Sequence, residues 1–436
     1  MILVSSFVEI LQQVSLVMTV PTFANFVTVL TGWVFARRRT VTGMIVAAGA
    51  VDAKHHSAFH RVFASAEWCL DELGLAVFAL IEALLPDDAV MLAVDDTLAR
   101  KRGLKIHGVG MHHDPLISTR KVARVNWGHS WVVLSVMVRF PFSPDRCFAL
   151  PILFRLYVNK QTAAKKGGWY RTRPQLAVEV LYTLCRAYKD RRFHVVGDST
   201  YGGQSVLGDL PGNCDLTSRL DLDARLYDAP PPRKAGTNGR PRKRGERLPS
   251  PRTMLAARAR RLTLDIYGRR DKVRVNDGVG RTYAVPNRAL RVVAVQPLIG
   301  GRREQAFYST RHDASAEQVL TWYAMRWSIE VAFQNSKTHL GFEQPQGWTR
   351  RAVERTAPTA MLLHSLIVLW FARCGHRQYR PPHRPWYRTK RHPSFADMLA
   401  TLRRESVKEQ VLSTPPKERG SPKLLKTIMQ AAQLAA

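Results

Sequence analysis

AVMLAVDDT, residues 89–97, runs six apolar residues into two adjacent carboxylates and a threonine. A short unbroken apolar run reads as a strand buried on both faces, so Asp95 and Asp96 stand where a strand leaves the core. FHVVGDSTYGG, residues 193–203, repeats the pattern: its apolar run ends in Asp198, followed by Ser199, Thr200, Tyr201 and Gly202. Ligands of open α/β sheets gather at the carboxyl ends of strands, so two strands that each deliver an acid point to one shared edge. Taken singly, each Asp also reads as a turn or helix cap, since Asp before Thr or Ser is ordinary capping chemistry.

Outward from these two stretches the pattern is α/β. Apolar runs at 89–94, 131–140 and 148–158 predict three strands, QLAVEVLYTLCRAYKD (175–190) a helix, and 193–197 a fourth strand. A helical turn near QSVLGDL and a strand at CDLTSRL follow. Residues 228–252, rich in Pro, Gly, Arg and Lys, read as a flexible basic loop. KVRVNDG, RTYAVP, LRVVAVQPLI and EQAFYST are β-like and separated by turn residues, so a β-rich insertion spans about 213–312. TAMLLHSLIVLWFARCG (359–375) predicts a long helix buried in protein. The expected division is a helical N-terminal DNA-binding domain over 1–86, a catalytic core over 87–375 and a basic C-terminal region over 376–436. RRRTVTG (37–43), between two helices of the first part, either enters a DNA groove or forms a charged loop.

Charge narrows the partner. The 436 residues carry 66 Lys and Arg against 34 Asp and Glu, a formal charge of +32, which is an electrostatic footprint for nucleic acid. A basic protein at a membrane surface is the competitor. Residues 10–36 hold no charge and run into Arg37, Arg38 and Arg39, but Gln12, Gln13, Pro21 and Asn25 interrupt them, so packed helices and no membrane partner are expected. The five cysteines are scattered without a C-x-x-C pair, which reads as reduced thiols rather than a zinc site.

YAMRWSIEVAFQNSK, residues 323–337, supplies a third acid. At about 100° per residue Tyr323, Arg326, Glu330 and Lys337 fall within about 60° of one another on a single helix. A carboxylate flanked by cations is either a structural ion pair or a metal ligand beside a phosphate chain. Three carboxylates from two strand ends and a helix can hold two Mg²⁺ ions about 3.5 to 4 Å apart, the arrangement that cleaves phosphodiesters.

The spacing Y-x2-R-x3-E-x6-K, with VDDT at 94–97 and GDSTYGG at 197–203, resembles the YREK-signature cut-and-paste group of DDE transposases of bacterial insertion sequences, insertion sequence family four. The resemblance covers roughly 89–375. It implies an RNase H-like core with a β-insertion between the second and third acids. It also implies a metal-binding triad of Asp95, Asp198 and Glu330 with two Mg²⁺ or Mn²⁺ ions, Asp96 being the alternative first acid. Tyr323, Arg326 and Lys337 would contact the phosphate backbone. The implied activity is binding of terminal inverted repeats in double-stranded DNA, strand cleavage and joining of the 3′ ends to target DNA, by a homodimer in the bacterial cytoplasm, associated with the nucleoid. The alternative is a DNA-binding derivative that no longer cuts. Some relatives stack a tryptophan of the β-insertion on a flipped base, and this chain has no Trp between Trp169 and Trp322; Tyr267, Tyr283, Phe307 and Tyr308 are the substitutes available.

Other candidates are weaker. His107, His112, His113 and Asp114 crowd one short loop but lack zinc spacing. His56 and His60, helically spaced in an apolar setting, read as ordinary core or surface histidines. The GVG at 108–110 is not a dinucleotide fingerprint. Lys165 to Gly168 form a basic turn, either DNA-touching or solvated.

Overall fold

The computed structural model describes the chain except residues 115–116, 120, 166–168, 233–239, 241, 258, 267–268, 299–302, 382–391 and 415–436. Five helices come first: α1 (Ser5–Gln12), α2 (Val20–Phe35), α3 (Val41–Ala48), α4 (Ser57–Ala64) and α5 (Leu70–Glu82). Strands β1 (Val90–Arg100), β2 (Gly110–His113), β3 (Val125–Phe140) and β4 (Ser143–Tyr157) lead into α6 (Lys160–Lys165), α7 (Arg173–Ala187) and β5 (Phe193–Gly197). Next are α8 (Gln204–Leu207), β6 (Cys214–Leu220), β7 (Leu226–Tyr227), β8 (Arg247–Leu248) and α9 (Pro251–Ala256). They are followed by β9 (Arg260–Ile266), β10 (Arg269–Thr282), β11 (Leu290–Pro297) and β12 (Gln305–Ser309). The chain closes with α10 (Ala316–Met325), α11 (Trp327–Leu340), α12 (Arg350–Trp370), α13 (His376–Gln378) and α14 (Phe395–Ser413).

Among the described residues the strands form one mixed sheet, ordered β2-β3-β1-β5-β6-β12-β11-β10-β7-β8, with β4 also on β3 and β9 also on β10. β1, β5 and β6 are parallel, while β3 and β4 are antiparallel neighbours on the other side of β1. β5 and residues 90–94 of β1 are largely buried on both faces, and this is why those stretches are almost wholly apolar. One hydrophobic cluster runs from Phe7 and Trp33 of the first helices through Leu134 and Leu181 to Trp370. A smaller one, including Val275, Val293, Phe307 and Val319, fastens the outer strands to α10.

Four expectations change. β1 does not end at its acids, because antiparallel β3 partners it residue by residue from Leu92 to Arg100 after its parallel neighbour β5 has stopped. The helix read through 323–337 is two: the bonds Arg326 N to Tyr323 O (3.2 Å) and Ile329 N to Arg326 O (3.0 Å) tighten the chain at Arg326, where α10 gives way to α11. β10 runs on from KVRVNDG through Val279 and Gly280 to Thr282, across the break expected before RTYAVP, and Asp277 within it is held by Arg260 and Arg291. The basic stretch 228–252 is closed at its end by a two-residue ladder between β7 and β8 and runs into α9.

The first helices set the position of α11. Gly32 lets α2 and α3 touch, since a Cβ there would lie 1.9 Å from the Met44 carbonyl oxygen. Trp33 Nε1 then donates to the Leu340 carbonyl at the end of α11 (2.7 Å), and the Arg39 amide donates to Gln344 Oε1 (2.7 Å). Of the RRR run, Arg37 and Arg38 are exposed and Arg39 is buried. The helical segment Arg350–Gln378 is long and apolar enough to cross a membrane, and 83% of its apolar window is buried inside the protein.

Candidate active site

Register brings the first two acids together. Val94 of β1 pairs with Gly197, the last residue of β5, so the next residues, Asp95 still within β1 and Asp198 just past β5, stand side by side, at a strand spacing of about 4.8 Å. Gly197 is required at this point because a Cβ would lie 2.7 Å from Tyr201 Cβ. α11 packs on β1 and β4, which carries Glu330 to the same edge.

Arg326 ties the acids. Its Nη1 donates to Asp95 Oδ2 at 2.5 Å and its Nη2 to Glu330 Oε1 at 3.2 Å. The Arg326 and Asp95 side chains are 12% and 14% exposed, so this pair is largely shielded from solvent screening. Burial pushes the Asp95 carboxyl up to about 7; Arg326 pulls it down, and Asp96 and Asp198 push it up. For Arg326 burial opposes the charge, but Asp95, Tyr323, Glu330 and Asp198 outweigh it and raise the guanidinium's pKa. All three predicted acids therefore act on one cation.

Asp198 sits in a turn of its own making, accepting the Thr200 amide at 2.8 Å, while its carbonyl accepts Ser218 Oγ at 2.7 Å. The capping role and the site position coexist. Gly202 follows for a steric reason: a Cβ there would lie 2.1 Å from Ser218 Oγ, and its carbonyl accepts the Tyr308 hydroxyl at 2.6 Å.

Asp96, one residue along the strand from Asp95, has different company, as alternation along a strand requires. Tyr201 Oη donates to its Oδ1 at 2.8 Å, Arg173 Nε lies 3.1 Å from its Oδ2, and Ser130 Oγ is 3.4 Å away. The Arg173 guanidinium also covers the Tyr157 ring at 4.4 Å. Burial, then Asp96 and Asp95, raise the Tyr201 phenol well above its ordinary value, so it stays a donor. Composition and spacing did not reveal this clamp; its one sequence signal was the buried tyrosine inside GDSTYGG.

The remaining signature residues divide. Tyr323 packs on Phe307, with ring centroids 4.5 Å apart, and lies beneath Arg326 at 5.6 Å. Lys337 is two turns further along α11, about 10 Å from Glu330 at 1.5 Å per residue. Burial lowers its pKa, and Glu343, Asp114 and Arg100 are the charges that act on it. It therefore belongs to a neighbouring cluster, in which Arg100 donates to Asp114 Oδ2 through Nε (3.0 Å) and Nη2 (2.8 Å). Of the proposed base-stacking substitutes, Phe307 and Tyr308 are buried, Tyr283 is exposed beneath Arg244, and Tyr267 lies outside the described residues. Lys166 to Gly168 also lie outside them. The loop histidines go separate ways: His113 pairs with Ser118 Oγ, and burial lowers His112 to about 4.

Among the described residues no three His, Cys, Asp or Glu side chains are grouped to hold a metal ion as they stand. Arg326 bridges two of the three carboxylates instead. The donor set nonetheless fits a hard divalent cation: the ligands are all carboxylate oxygens, and besides burial, the neighbouring carboxylates Asp96 and Asp198 push Asp95 up.

Comparison with known families decides the broader identity. The family described as DDE superfamily endonuclease matches residues 24–280, more than half of the chain. The chain belongs to the DDE superfamily endonucleases. Membership implies a DNA substrate and a nuclease or transposase activity. The matched segment of this DDE endonuclease holds Asp95 and Asp198 and ends before Glu330. No curated protein matches the chain.

Proposed function

We propose that this protein is a DNA transposase of the YREK-signature group that binds the terminal inverted repeats of its element, cuts at their ends and joins the 3′ ends to target DNA. One observation carries the reading: Asp95 and Glu330, 235 residues apart in sequence, meet on one guanidinium, and Asp198 acts on both Asp95 and that guanidinium. The sheet supports it, because antiparallel β4-β3-β1 continuing into parallel β5 and β6, with α7 between β4 and β5, is the arrangement expected of an RNase H-like core.

Asp95, Asp198 and Glu330 would hold Mg²⁺ or Mn²⁺, which when bound in a pair activates the attacking oxygen and stabilises the leaving one. The chain's own residues do the rest. Arg326 offers a two-armed clamp for a phosphate, and Lys337, further down α11, a point charge for the backbone beyond it. The Asp96 clamp with Tyr201 and Arg173 fixes the strand that presents Asp95. Two DNA ends must be paired for joining, so the working form in this reading is a homodimer, with the helices of 1–86 adding DNA contacts, in the bacterial cytoplasm.

The test is a duplex carrying the element's own ends, incubated with Mg²⁺ or Mn²⁺ and, separately, with a chelator. Strand breaks at the repeat boundary that require the divalent ion are expected. Tight binding without cutting under any condition would overturn the reading in favour of a DNA-binding derivative.

A further inference from the structure

We propose that Arg326 is a built-in counter-cation, which a divalent metal must displace from between Asp95 and Glu330 before the site can work. The inference rests on the metal-dependent reading above and adds to it a competition within the chain.

Three observations carry it. The guanidinium spends both terminal nitrogens on these acids, at 2.5 Å to Asp95 and 3.2 Å to Glu330, so it occupies carboxylate oxygens that a metal held by these acids would need. Its side chain is 12% exposed, so the pair is not a loose surface contact. Its Nε is nevertheless buried with no hydrogen-bond partner. Of the five N–H donors a guanidinium carries, its bonds to the acids use only those on the two terminal nitrogens. This one is held through its two ends alone and can be given up when a better cation arrives.

The arrangement has a use. Without metal, carboxylates at one edge repel each other, and Arg326 keeps them folded together. With the carboxylates holding a metal, the same arginine would be released beside Tyr323, whose ring it already approaches at 5.6 Å, and its fork would be available to a phosphate. Metal loading and phosphate capture would then be linked through one side chain.

The experiment is titration calorimetry of the full-length, DNA-free chain with Ca²⁺ and with Mn²⁺, comparing wild type, Arg326→Gln, Arg326→Lys and Asp95→Asn. Close charge pairs couple strongly enough that removing the competitor should tighten metal binding by about tenfold or more. Arg326→Lys, a point charge unable to bridge both acids, should fall between wild type and Arg326→Gln. Asp95→Asn should abolish binding. Equal or weaker binding by Arg326→Gln overturns the proposal, and should that variant fail to fold, equal or weaker binding by Arg326→Lys does the same. Wild-type binding that Asp95→Asn abolishes but neither arginine variant tightens would sink the displacement while leaving the metal reading intact. No binding by any variant would sink both.

Discussion

Replacing Tyr201 with phenylalanine removes one hydroxyl and nothing else, so its effect can be worked out from the bonds that hydroxyl makes. The phenol is fully buried and donates to Asp96 Oδ1 at 2.8 Å. After its loss Asp96 keeps Arg173 and Ser130, both reaching the other carboxylate oxygen. A hydrogen bond to a charged group contributes about 1.5 to 3 kcal/mol, so local opening of β1 and of the 197–203 turn should become roughly ten- to hundredfold more frequent, at about 1.4 kcal/mol per factor of ten. A chain this long need not unfold in one step, so the assay is amide hydrogen exchange on peptides covering 90–100 and 193–203. DNA cleavage by the folded variant should stay within a few-fold of wild type, because Asp96 anchors the strand and Asp95 faces Arg326 and Glu330. Unchanged protection would refute the clamp. Retained protection with lost cleavage would make Asp96, not Asp95, the first acid.

Other outcomes rest on the same packing. Gly202→Ala drives a methyl against Ser218 and should destabilise by about 1 to 3 kcal/mol as an overpacked site does, whereas Gly203→Ala meets nothing within 4 Å and should be tolerated; paired thermal melts separate them. His194 is fully buried against Trp322 and hydrogen-bonded to Thr217 Oγ1, and burial lowers its pKa to about 4. Below about 6.5 the unfolded chain binds the proton that folded His194 refuses, so its share of stability is complete above that pH and is lost as the pH falls toward 4, on the order of 3 kcal/mol in all. Melts of His194→Gln across this range should show a shallower loss; an identical slope would contradict the assignment.

How far the sequence could be read depended on whether a feature was local. The apolar runs of β1, β3, β4 and β5 were legible because strands covered on both faces leave no polar positions to obscure them. β2, four residues reading GMHH, and the polar half of β1 beyond Asp95 owe their conformation to pairing with β3, and pairing leaves no local mark. Asp198 was legible as a strand end and Glu330 as a helix position, while Asp95 was legible only as the close of an apolar run, since its strand continues to Arg100. That Arg326 would turn inward to bridge Asp95 and Glu330 was not, since the same spacing serves a residue facing DNA. Arg173 carried no signal at all, because its partner Asp96 lies on a strand 77 residues earlier.

The proposed centre stands or falls on cleavage of an end-bearing duplex with Mg²⁺ or Mn²⁺ by wild type, Asp95→Asn, Asp198→Asn and Glu330→Gln, at matched DNA binding. Wild type should cut, and each variant should bind without cutting. A variant that binds and cuts like wild type would remove its residue from the chemistry, and if all three did so the proposed centre would be wrong.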